Sequence, residues 1–542
     1  MSESTTSTPL GKSRPRTDDV VSVIMSRVRG RDTAPEKAFR SALFKEGLRF
    51  RVCESKLPGK PDIVFPGPRL AVFVDGDYWH GNQWRRRGLR SIDEQVGSIN
   101  NADYWRRKIQ RNRSRDFSNT ATLLDRGWRV LRVWESDLKN DLDRCVDSVV
   151  NAVRAEAHGS GFAYDQLANR SVVEFFAGIG LVRLALDQAG WQTIFANDID
   201  ADKFDMYEGN FGDNGFLLGD IHGLRGADLP AAGLVTASFP CTDLSIAGAR
   251  RGLDGDHSGA FWAVTRLLDE LGDRKPPLVL FENVLGFLRS RGGRDLDAAL
   301  RSLNKLGYAI DLFTLNADRF APQSRPRLFI IARPSEANDE VINAGDLESD
   351  DLRPDAIVEF IRSHEHLDWS LRCLPGPPDR HAGLDDILED LPEDDPHWWN
   401  EDRAAYFLNQ MSERHREIAN EMIAGTTWSY ATAFRRIRRG RSMAELRTDG
   451  IAGCLRTPRG GSARQILFAA GCGHYRVRLL TARECARLQG APDDFVINTT
   501  LNKALFGFGD AVCVPVVEWI ARQYLTPLAA ELLRGRTLAA PD

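Results

Sequence analysis

The alternation of apolar and polar positions divides the chain into successive segments. Residues 18–157 mix helical and strand-like spacing, and a Gly-containing stretch over 158–170 is typical of a linker. Residues 171–334 repeat short apolar runs that are each followed by an amphipathic run. The pattern breaks down over 335–475, and regular helical spacing returns over 476–534. The chain is therefore predicted to hold several domains, at least two of them α/β.

Residues 171–334 carry the clearest secondary-structure signal. Strands are predicted at SVVEFF, TIFAND, LLGD, GLVTASFP and PLVLFENV, and an amphipathic helix at LVRLALDQAG follows the first. Strands that alternate with helices predict a doubly wound, mostly parallel sheet. Ligands bind such a sheet at the carboxyl ends of its strands, so the residues that follow each strand are the candidates for function.

The composition is that of an ordinary globular protein, with 42% hydrophobic and 27% charged residues. No uninterrupted apolar run approaches the ~18 residues of a membrane span, so no membrane partner is expected. Residues 1–17 are rich in Ser, Thr and Pro and lack an apolar signal core, so we expect a disordered tail there, and a short tail over 535–542. Eight scattered cysteines without a CxxC pair favour a reducing, cytoplasmic location.

The net charge of −4 conceals an uneven distribution. Residues 18–150 contain 26 Lys and Arg against 19 Asp and Glu, so the first domain is basic and the rest of the chain is acidic. A basic domain favours a polyanionic partner, because neutralising phosphates drives binding to nucleic acid. A highly charged, solvated surface without such a partner explains the same counts equally well.

The first strand of the doubly wound segment runs into EFFAGIG (174–180), which brings Gly178 and Gly180 to the start of a helix. Glycines at this point let the backbone approach a ligand closely. The next two strands end in Asp198 and Asp220, acids suited to a ribose hydroxyl and to an adenine amino group. Each acid could instead cap a helix. The segment predicts a nucleotide-like cofactor, and by itself it would also suit a nicotinamide enzyme.

The fourth and fifth strands end in SFPC and FENV, which bring Cys241 and Glu282 to the same edge of the sheet. This pair suits methylation of cytosine at C5, a carbon that is unreactive until a nucleophile adds at C6. A thiolate adds there while an acid protonates N3, and the resulting enamine attacks an electrophilic methyl group. Loss of the C5 proton then expels the thiolate. A packing role is the alternative for Cys241 considered alone.

These motifs resemble, in kind and in order, those of the DNA cytosine-5 methyltransferase family. FAGIG is followed by ND, GDI, PC, ENV and QSRPR (323–327), and later by RLLTARECARLQGAPDDF (478–495) and GFGDAV (507–512). The resemblance covers 171–334 and 476–534. It implies a Rossmann-like class I methyltransferase domain that uses S-adenosylmethionine, acts on double-stranded DNA as a monomer, and carries an inserted target recognition domain over 335–475.

The resemblance also assigns roles to single residues. Cys241 is the nucleophile, Glu282 is the partner of cytosine N3, and Arg325 and Arg327 hold a substrate oxygen and a phosphate. Phe176 is expected to pack on the adenine. The residues implied in cofactor binding lie at strand ends and in the late GFGDAV motif: Phe176, Gly178, Gly180, Asp198, Ile199, Asp220, Ile221, Pro240 and Asp510. Gly178 and Gly180 are expected near the methionine part of the cofactor.

Two positions depart from the family pattern: Thr242 replaces the usual Gln after Pro-Cys, and Asp510 replaces the usual Asn after Gly. The loop IAGARRGLDGDHSG (246–259) matches the mobile loop that closes on DNA. Its Arg250 and Arg251 are expected to contact phosphate. A stacked base must be flipped out of the duplex before it can reach such a site.

Two basic segments of the inserted region, FRRIRRGR (434–441) and LRTPRGGSARQ (455–465), are the expected DNA-facing parts. Arg side chains either read guanine O6 and N7 or hold phosphate, and phosphate is the better expectation for any one of them. The arginines singled out as DNA contacts are Arg435, Arg436, Arg438 and Arg439.

The N-terminal domain contains a second candidate centre. Pro61-Asp62 precedes the strand-like segment RLAVFVDGDYWHGN (69–82), which carries Asp75. In metal-dependent nucleases, carboxylates near the ends of adjacent strands hold Mg²⁺, which activates water and shields the leaving oxygen. Asp62 and Asp75 are therefore candidate metal ligands in a restriction-endonuclease-like α/β domain of the PD-(D/E)xK type.

The wider pattern over 20–140 resembles the Vsr, or very short patch repair, endonucleases, which nick DNA beside a T:G mismatch. The resemblance implies that Asp62 is the metal carboxylate, that Glu36 supports it, and that His80 is a general acid or base. Met25, Tyr78 and Trp79 match residues that wedge into the base stack. Tyr78 and Trp79 would equally suit an ordinary core.

The domain departs from the Vsr pattern at five positions. The family's His in the strand after Pro-Asp is Asp75 here, which either changes the base or adds a second metal carboxylate. The positions of the family's Cys and His zinc ligands hold Asp77, Asn82, Trp84 and Ser136. Because no thiolate is kept, no structural zinc is expected.

The pairing of the two domains has a chemical logic, because deamination of 5-methylcytosine leaves a T:G mismatch at the methylated site. The leading hypothesis is a bacterial, cytoplasmic DNA cytosine-5 methyltransferase fused to a Mg²⁺-dependent nicking endonuclease that starts repair, with the DNA repair machinery as a partner. One alternative is a single-chain restriction–modification enzyme that cuts unmethylated sites. Another is a methyltransferase whose N-terminal domain only binds DNA. Cytosine-5 RNA methyltransferases share the chemistry, but the large late insertion favours DNA.

Overall fold

The computed structural model of the chain describes residues 33–80, 83, 87, 92–97, 102–126, 128–154, 161–240, 259–335, 342–380, 382–438, 440–457 and 464–539. The chain divides into two compact units, Met1–Arg154 and Ala155–Asp542. Each unit has its own sheet and its own hydrophobic core.

The first unit is built on a four-stranded mixed sheet. Its strands, in sheet order, are β1 Arg51–Val52, β2 Ile63–Phe65, β3 Leu70–Asp75 and β4 Arg129–Trp134. β2 pairs antiparallel with β1 and with β3, whereas β3 and β4 run parallel. Asp62 precedes β2 and Asp75 ends β3, so the antiparallel pairing brings both acids to one edge of the sheet.

The helices of the first unit cover this sheet. They are α1 Ala34–Lys45, α2 Ile92–Gly97, α3 Ala102–Asp125, α4 Glu135–Asn140 and α5 Leu142–Arg154. α1 begins after an N-cap, Thr33, whose side chain accepts a hydrogen bond from the Glu36 N–H. Phe39 and Leu43 of α1 share a core with Ile63 of β2 and Val149 of α5. Burial of such apolar stripes is the main stabilising term for a unit of this size.

The second unit is built on a seven-stranded sheet. Its strands in chain order are β5 Ser171–Phe175, β6 Gln192–Asp198, β7 Phe216–Leu218, β8 Leu234–Ala237, β9 Leu278–Val284, β10 Tyr308–Asn316 and β11 Pro326–Pro334. In the sheet they lie in the order β10-β11-β9-β8-β5-β6-β7. The five strands from β9 to β7 are parallel, and β11 and β10 are antiparallel additions at one side.

The strand order reverses at β5, which pairs with β6 on one side and with β8 on the other. In a doubly wound sheet this switch point opens a crevice beyond the carboxyl ends of the strands, where ligands bind. The fold class predicted from the sequence, a doubly wound α/β methyltransferase domain, is confirmed. The segments that follow β5, β6, β8 and β9 are those in which the sequence predicts function.

Helices cover both faces of this sheet and build a large core. They are α6 Asp165–Ala168, α7 Leu181–Gln188, α8 Ala201–Phe211, α9 Ala260–Glu270, α10 Gly286–Arg289, α11 Arg294–Lys305, α12 Asp355–Ser363, α15 Ala482–Leu488, α16 Leu501–Asp510, α17 Val514–Ile520 and α18 Thr526–Ala539. The late helices join the same core as α7, because Leu186, Val517 and Leu528 are all fully buried in it. The C-terminal segment therefore completes the domain that begins at β5.

Between α12 and α15 lies a third sheet with two helices of its own. The helices are α13 Glu401–Asn409 and α14 Glu413–Ala424, and the strands are β12 Ser429–Arg438, β13 Arg441–Arg447, β14 Ile466–Gly471 and β15 His474–Leu479. The strands are all antiparallel, in the order β13-β12-β14-β15. Its core relies on small side chains such as Ala431, Ala433 and Ala470, which explains why the sequence showed no clear strand pattern here.

One helical stretch, Leu501–Arg534, is long and apolar enough to cross a membrane by length and composition alone. The sequence had shown no uninterrupted apolar run of that length. Most of this stretch, 61% of its most apolar window, is buried inside the protein, which is the pattern of core helices. The stretch comprises α16, α17, a π-helical turn and part of α18.

Candidate functional site

The turn after β5 is the most constrained part of the second unit's candidate site. Phe176, Gly178 and Gly180 have positive φ angles of 58°, 56° and 85°. This conformation is strained for Phe, and such strain is concentrated at functional sites. A Cβ at Gly180 would lie 2.3 Å from the Phe211 ring, so only glycine fits there. The sequence predicted both glycines at this turn, and the structure shows the steric reason.

Asp198, at the end of β6, holds this turn in place. Its Oδ2 accepts from the Gly178 N–H at 2.8 Å, and its Oδ1 accepts from the Asp200 N–H at 2.9 Å. On helix α8, Lys203 Nζ forms an ion pair with Asp510 Oδ2 at 2.7 Å. The predicted cofactor residues Gly178, Asp198 and Asp510 thus lie around Lys203, a residue that sequence reasoning missed.

Asp220 follows β7 and acts as the N-cap of a short 3-10 helix, Ile221–Gly223. Its Oδ1 accepts from the His222 N–H at 3.0 Å and lies 2.8 Å from His222 Nδ1. The sequence left open that this acid caps a helix, and in the structure Asp220 does cap one.

An apolar rim surrounds these strand ends. Ile199 is 65% exposed, and Leu217 and Leu218 of β7 are also exposed. Leu218 pairs with Asp198 in the sheet register. Phe176 is half-buried, Ile221 is buried and Pro240 is exposed. Exposed apolar side chains at a ligand-binding edge offer a surface on which a flat ring can pack.

Glu282 lies near the end of β9 and is buried. Arg327, at the start of the antiparallel neighbour β11, binds Glu282 Oε1 through its Nε at 2.8 Å. Asn283 Nδ2 donates to the Phe239 carbonyl at 3.1 Å, which ties β9 to the segment that leads into Pro240 and Cys241. The structure therefore brings the ENV and QSRPR motifs together, a contact that was not predicted from the sequence.

Arg325 is buried and bound to the backbone. It is 3% exposed, and its guanidinium donates to the carbonyls of Leu455 at 2.8 Å, Gly509 at 3.1 Å and Ala511 at 2.5 Å. Its contact with a substrate oxygen or phosphate stays a prediction, and the structure adds a positioning role, because its Nη1 and Nη2 groups bind backbone carbonyls. Arg325 fixes the segment that contains Asp510.

Cys454 is a second residue that the sequence did not single out. Its sulfur lies 3.3 Å from Arg325 Nη1 and 4.0 Å from Arg327 Nη2. Burial alone would raise the pKa of this thiol, but the charges of Arg325, Arg327 and Arg456 outweigh it and lower the pKa. Nothing in the sequence marks it, because it lies within the inserted region, 129 positions from Arg325 and 127 from Arg327.

Several predicted residues lie outside the described part of the chain. They are Met25, Asn82, Trp84, Cys241, Thr242, Arg250, Arg251 and Arg439. The side chain of Arg438, the last residue of β12, also lies outside it. Their roles remain predictions from the sequence.

The other two arginines that were predicted to contact DNA, Arg435 and Arg436, lie on β12. Arg435 Nε donates to Gln410 Oε1 at 3.0 Å, and its guanidinium lies 5.5 Å from the centre of the Trp399 ring. Arg436 is more exposed and lies 3.8 Å from Glu445 Oε2. Arg435 is thus held against aromatic rings, whereas Arg436 stands at the surface where a phosphate can reach it.

In the first unit, Asp62 is placed by the strand pairing of β2 and β3. Its Oδ2 accepts from the Val74 N–H at 2.7 Å. Burial and the nearby charges of Glu36 and Asp75 together raise the pKa of Asp62 to about 6, against the lowering effect of the Val74 hydrogen bond. A divalent cation stabilises a carboxylate with such acidic neighbours.

Asp75, a predicted metal ligand, is bound by an arginine in this structure. Arg132 of β4 donates to both of its oxygens, at 2.6 Å and 2.8 Å. Burial alone would raise the pKa of Asp75, but Arg132 and His80 outweigh it and lower the pKa. Ligand atoms of Asp75, His80 and Asp116 lie within 4.8 Å of one another, a spacing that suits a metal. The Arg132 guanidinium also lies 3.3 Å from Asp116, so a positive charge already occupies this cluster.

His80 is positioned by Asp116 of α3. Its Nδ1 forms a short hydrogen bond with Asp116 Oδ2 and lies 3.6 Å from Asp75 Oδ1. Burial alone would lower the pKa of His80, but the Asp116 hydrogen bond and the two carboxylate charges raise it. The pair is suited to a general acid or base, the role predicted for His80. Asp116 and Arg132, which lie 36 and 57 positions from the residues they bind, were missed in the sequence.

Tyr78 and Trp79 belong to an aromatic cluster with Trp105 of α3, with ring centres 5.3–5.7 Å apart. Lys108 Nζ lies 4.9 Å from the centre of the Trp79 ring and 5.3 Å from that of Trp105. Tyr78 and Trp79 are partly exposed, so the cluster combines core packing with a surface that another ring can meet.

Asp77 and Ser136 occupy two of the positions where the Vsr pattern has zinc ligands, and here they bind each other. Asp77 accepts from the Ser136 hydroxyl at 2.6 Å and from the Ser136 N–H at 3.0 Å. Both are buried. A hydrogen-bonded pair thus links the segment after β3 to the start of α4.

Comparison with known proteins identifies the family of the second unit. The family model described as C-5 cytosine-specific DNA methylase matches residues 170–526, well over half of the chain. The chain belongs to this family. Type II methyltransferase M.HhaI of Haemophilus parahaemolyticus is 27% identical over 360 residues, which cover 66% of this chain and 94% of that protein. The crystal structure of S. pombe Dnmt2 methyltransferase is 20% identical with a TM-score of 0.45, and covers 66% of this chain and 98% of that one.

The N-terminal part of this methylase is similar to a second family. The model described as DNA mismatch endonuclease Vsr matches residues 17–86. Type II nicking enzyme V.XorIIP of Xanthomonas oryzae pv. oryzae is 44% identical over 119 residues, which cover 22% of this chain and 80% of that protein. The resemblance stated from the sequence is confirmed: a C5-cytosine methyltransferase domain follows a Vsr-like endonuclease domain.

Proposed function

We propose that the second unit of this methylase transfers a methyl group to C5 of a flipped cytosine in double-stranded DNA, with Cys241 as the nucleophile and Glu282 as the partner of N3. The observation that carries the proposal is the buried Glu282–Arg327 ion pair, with N and O 2.8 Å apart. It lies on β9, whose neighbour β8 leads into Pro240 and Cys241. An acid and a thiol at adjacent strand ends suit addition at C6 with proton transfer at N3.

The strand ends beside this pair suit S-adenosylmethionine as the cofactor. The strained turn at Phe176–Gly180 exposes backbone to a ligand, and Ile199 and Leu218 offer apolar surface to a ring. When bound, the cofactor supplies an electrophilic methyl group. Asp198 is already engaged by two backbone N–H groups, so its part is to shape the turn as well as to meet a ribose.

The chemistry of the chain's own residues follows from this arrangement. The Cys241 thiolate adds to C6 of cytosine while Glu282 supplies a proton at N3, and C5 becomes nucleophilic. After C5 has taken the methyl group, it loses its proton to a base, the C6–S bond breaks to regenerate the thiolate, and N3 returns its proton to Glu282. Arg327 keeps the Glu282 carboxyl group in place throughout.

Trapping with a duplex that carries 5-fluorocytosine tests this proposal. Fluorine at C5 cannot leave as a proton, so methyl transfer should stop at a stable protein–DNA adduct that peptide mapping locates at Cys241. Cys373→Ser, a substitution of an exposed cysteine, serves as the control and should still form the adduct. Absence of an adduct in the presence of cofactor would contradict the proposal.

For the first unit, we propose a Mg²⁺-dependent nicking activity beside T:G mismatches that arise from deaminated 5-methylcytosine. It is supported by the pKa of Asp62, raised to about 6 by burial and by Glu36 and Asp75, since a carboxylate in that setting gains from a bound cation. The His80–Asp116 pair supplies an acid or base nearby. Glu36 and Asp62 would hold the metal, which activates water and stabilises the leaving oxygen.

Matched duplexes distinguish the possible activities of this domain. Purified full-length protein with Mg²⁺ should nick a duplex with T:G at the methylated position and leave the C:G duplex intact. Equal cleavage of both, blocked by prior methylation, would instead support a single-chain restriction–modification enzyme. No cleavage of either, with tight DNA binding retained, would support an inactive DNA-binding module.

We also propose that the methyltransferase part is monomeric. The protein is expected to act in the bacterial cytoplasm, on nucleoid DNA and without a membrane partner. A nick beside a mismatch needs a polymerase and a ligase to complete repair, so the DNA repair machinery is the expected partner. Sedimentation of the purified protein alone and with duplex DNA tests the monomeric state.

A further inference from the structure

We propose that Lys203 and Asp510 form a charge pair that recognises the zwitterionic amino-acid end of the methyl-donor cofactor, with Lys203 as a specificity-determining residue. The inference rests on the proposed use of S-adenosylmethionine. It goes beyond it by naming Lys203, which no motif marks, and by explaining why an acid is tolerated at position 510 in place of the family's Asn.

The first step is the contact itself. Lys203 Nζ lies 2.7 Å from Asp510 Oδ2 and 4.0 Å from Asp200 Oδ2. The Lys203 side chain is 17% exposed. Burial alone would lower its pKa, but the charges of Asp510, Asp198 and Asp200 outweigh it and raise the pKa. The lysine is therefore a cation under working conditions.

The second step places the pair beside the strained turn. A Cβ at Gly178 would have the Lys203 Cδ as its nearest neighbour, at 3.9 Å, and Gly178 N–H binds Asp198. The aliphatic part of Lys203 thus runs along the turn whose glycines are expected near the methionine part of the cofactor. Its ammonium group lies beyond that turn, on the side of Asp510.

The third step shows that Asp510 is held in position by its neighbours. Arg325 donates to the carbonyls of Gly509 and Ala511, on either side of it. Helix α16 approaches α8 closely at Gly507, where a Cβ would lie 2.6 Å from Met206 Cε. Only a close approach of these two helices lets Asp510 reach Lys203.

The fourth step is the match of charges. The amino-acid end of S-adenosylmethionine carries one ammonium and one carboxylate group. Lys203 and Asp510 carry the complementary two charges side by side, so each can exchange its partner for the opposite charge of the ligand. An Asn at 510 would remove the nearest counter-charge of Lys203 and leave only Asp198 and Asp200 near it, so that Lys203 would repel the ligand ammonium more strongly.

Binding titrations of the full-length protein with three ligands test whether Lys203 and Asp510 recognise the two charged groups. S-adenosylhomocysteine carries both charged groups, decarboxylated S-adenosylhomocysteine carries only the ammonium, and methylthioadenosine carries neither. Lys203→Met should weaken S-adenosylhomocysteine about tenfold and leave the decarboxylated ligand unchanged. Asp510→Asn should weaken both of these ligands about tenfold. Neither variant should alter methylthioadenosine binding.

The double variant adds a test of coupling. The double variant lacks the attraction of Lys203 and of Asp510 for the ligand, but it leaves neither residue charged without its partner. It should therefore bind S-adenosylhomocysteine no worse than Asp510→Asn alone. Lys503→Met is the matched control, because Lys503 and Asp202 form a 2.6 Å ion pair between the same two helices with more exposed side chains. It should bind all three ligands like the unsubstituted protein.

Two outcomes would overturn the inference while the cofactor assignment stands. In one, Lys203→Met and Asp510→Asn bind S-adenosylhomocysteine within twofold of the unsubstituted protein. In the other, methylthioadenosine binding falls in parallel, or Lys503→Met has the same effect, which would indicate altered helix packing. If the unsubstituted protein binds none of the three ligands, the proposed cofactor is wrong and this inference falls with it.

Discussion

Side chains hold the candidate site of the first unit, whereas the backbone holds much of the candidate site of the second. In the first unit, Asp75, His80 and Asp116 are fixed by one another and by Arg132. In the second, Asp198 accepts two backbone N–H groups, and Arg325 donates to three backbone carbonyls.

The difference follows from the sheets on which the sites are built. A four-stranded sheet provides few strand ends, so a dense network of charges must fix the side chains of the first unit. The seven-stranded sheet has a switch point, where a turn with positive φ can shape the site directly. A charge network responds to pH and to a single charge substitution, whereas a backbone-held site responds mainly to changes of glycine or of its anchoring residues.

The largest expected effect is a loss of methyl transfer that leaves nicking unchanged. Cys241→Ser should lower methyl transfer to DNA at least about a thousandfold, because the serine hydroxyl is a far weaker nucleophile toward C6. Nicking of a T:G duplex by the same preparation should be unchanged. Transfer of radiolabelled methyl groups and a gel-based nicking assay measure both activities. A parallel loss of nicking would show that the two sites are not independent.

The converse substitution is Asp62→Asn. Nicking should fall about a thousandfold, since metal activation contributes several kcal/mol to such reactions. Methyl transfer should stay the same. Asp147→Asn, at an exposed position of α5, is the matched control and should retain both activities. Full nicking by Asp62→Asn would remove Asp62 from the metal site.

A substitution in the second unit tests how far side chains matter there. Arg327→Met removes the cation bound to Glu282, and the misplaced carboxyl group should cost up to about a hundredfold in methyl transfer. Binding of S-adenosylhomocysteine should not change. If cofactor binding falls with activity, Arg327 supports the whole crevice and not Glu282 alone.

The charge network of the first unit should appear as a pH dependence. At limiting Mg²⁺, protons compete with the metal for Asp62, whose pKa is raised to about 6. The nicking rate should therefore rise with pH through about 6, and fall about tenfold for each pH unit below it. Glu36→Gln removes a charge that raises this pKa, so the midpoint should move to lower pH. A midpoint that stays in place would show that another group controls the profile.

The smallest effect concerns stability. Ser136→Ala removes the hydroxyl that donates to the buried Asp77 carboxylate, while the backbone N–H at position 136 remains, and should destabilise the first unit by about 1–3 kcal/mol. Hydrogen exchange of the β4 amides measures this, and Ser148→Ala on α5 is the control. Zinc chelators should not change the exchange of the unsubstituted protein. A chelator effect would indicate a zinc site after all.

The sequence by itself determined the order of the motifs and their places at strand ends. Gly178, Gly180, Asp198 and Glu282 could be located because short apolar runs predict strands, and parallel strands place their carboxyl ends at one edge. The same local rules located Asp62 and Asp75. The sheet over 429–479 escaped prediction because alanines hold half of the buried core positions on its strands, and alanine carries little strand signal.

Only the tertiary structure decided which charged groups meet. Asp75 and Arg132 are 57 positions apart, His80 and Asp116 are 36 apart, and Lys203 and Asp510 are 307 apart. A charged side chain has no preferred partner along the chain beyond the next turn of a helix, so its partner is chosen by how distant elements pack. For this reason, Asp75 was predicted as a metal ligand and Arg325 as a substrate contact, and the fold gave them an arginine and three backbone carbonyls.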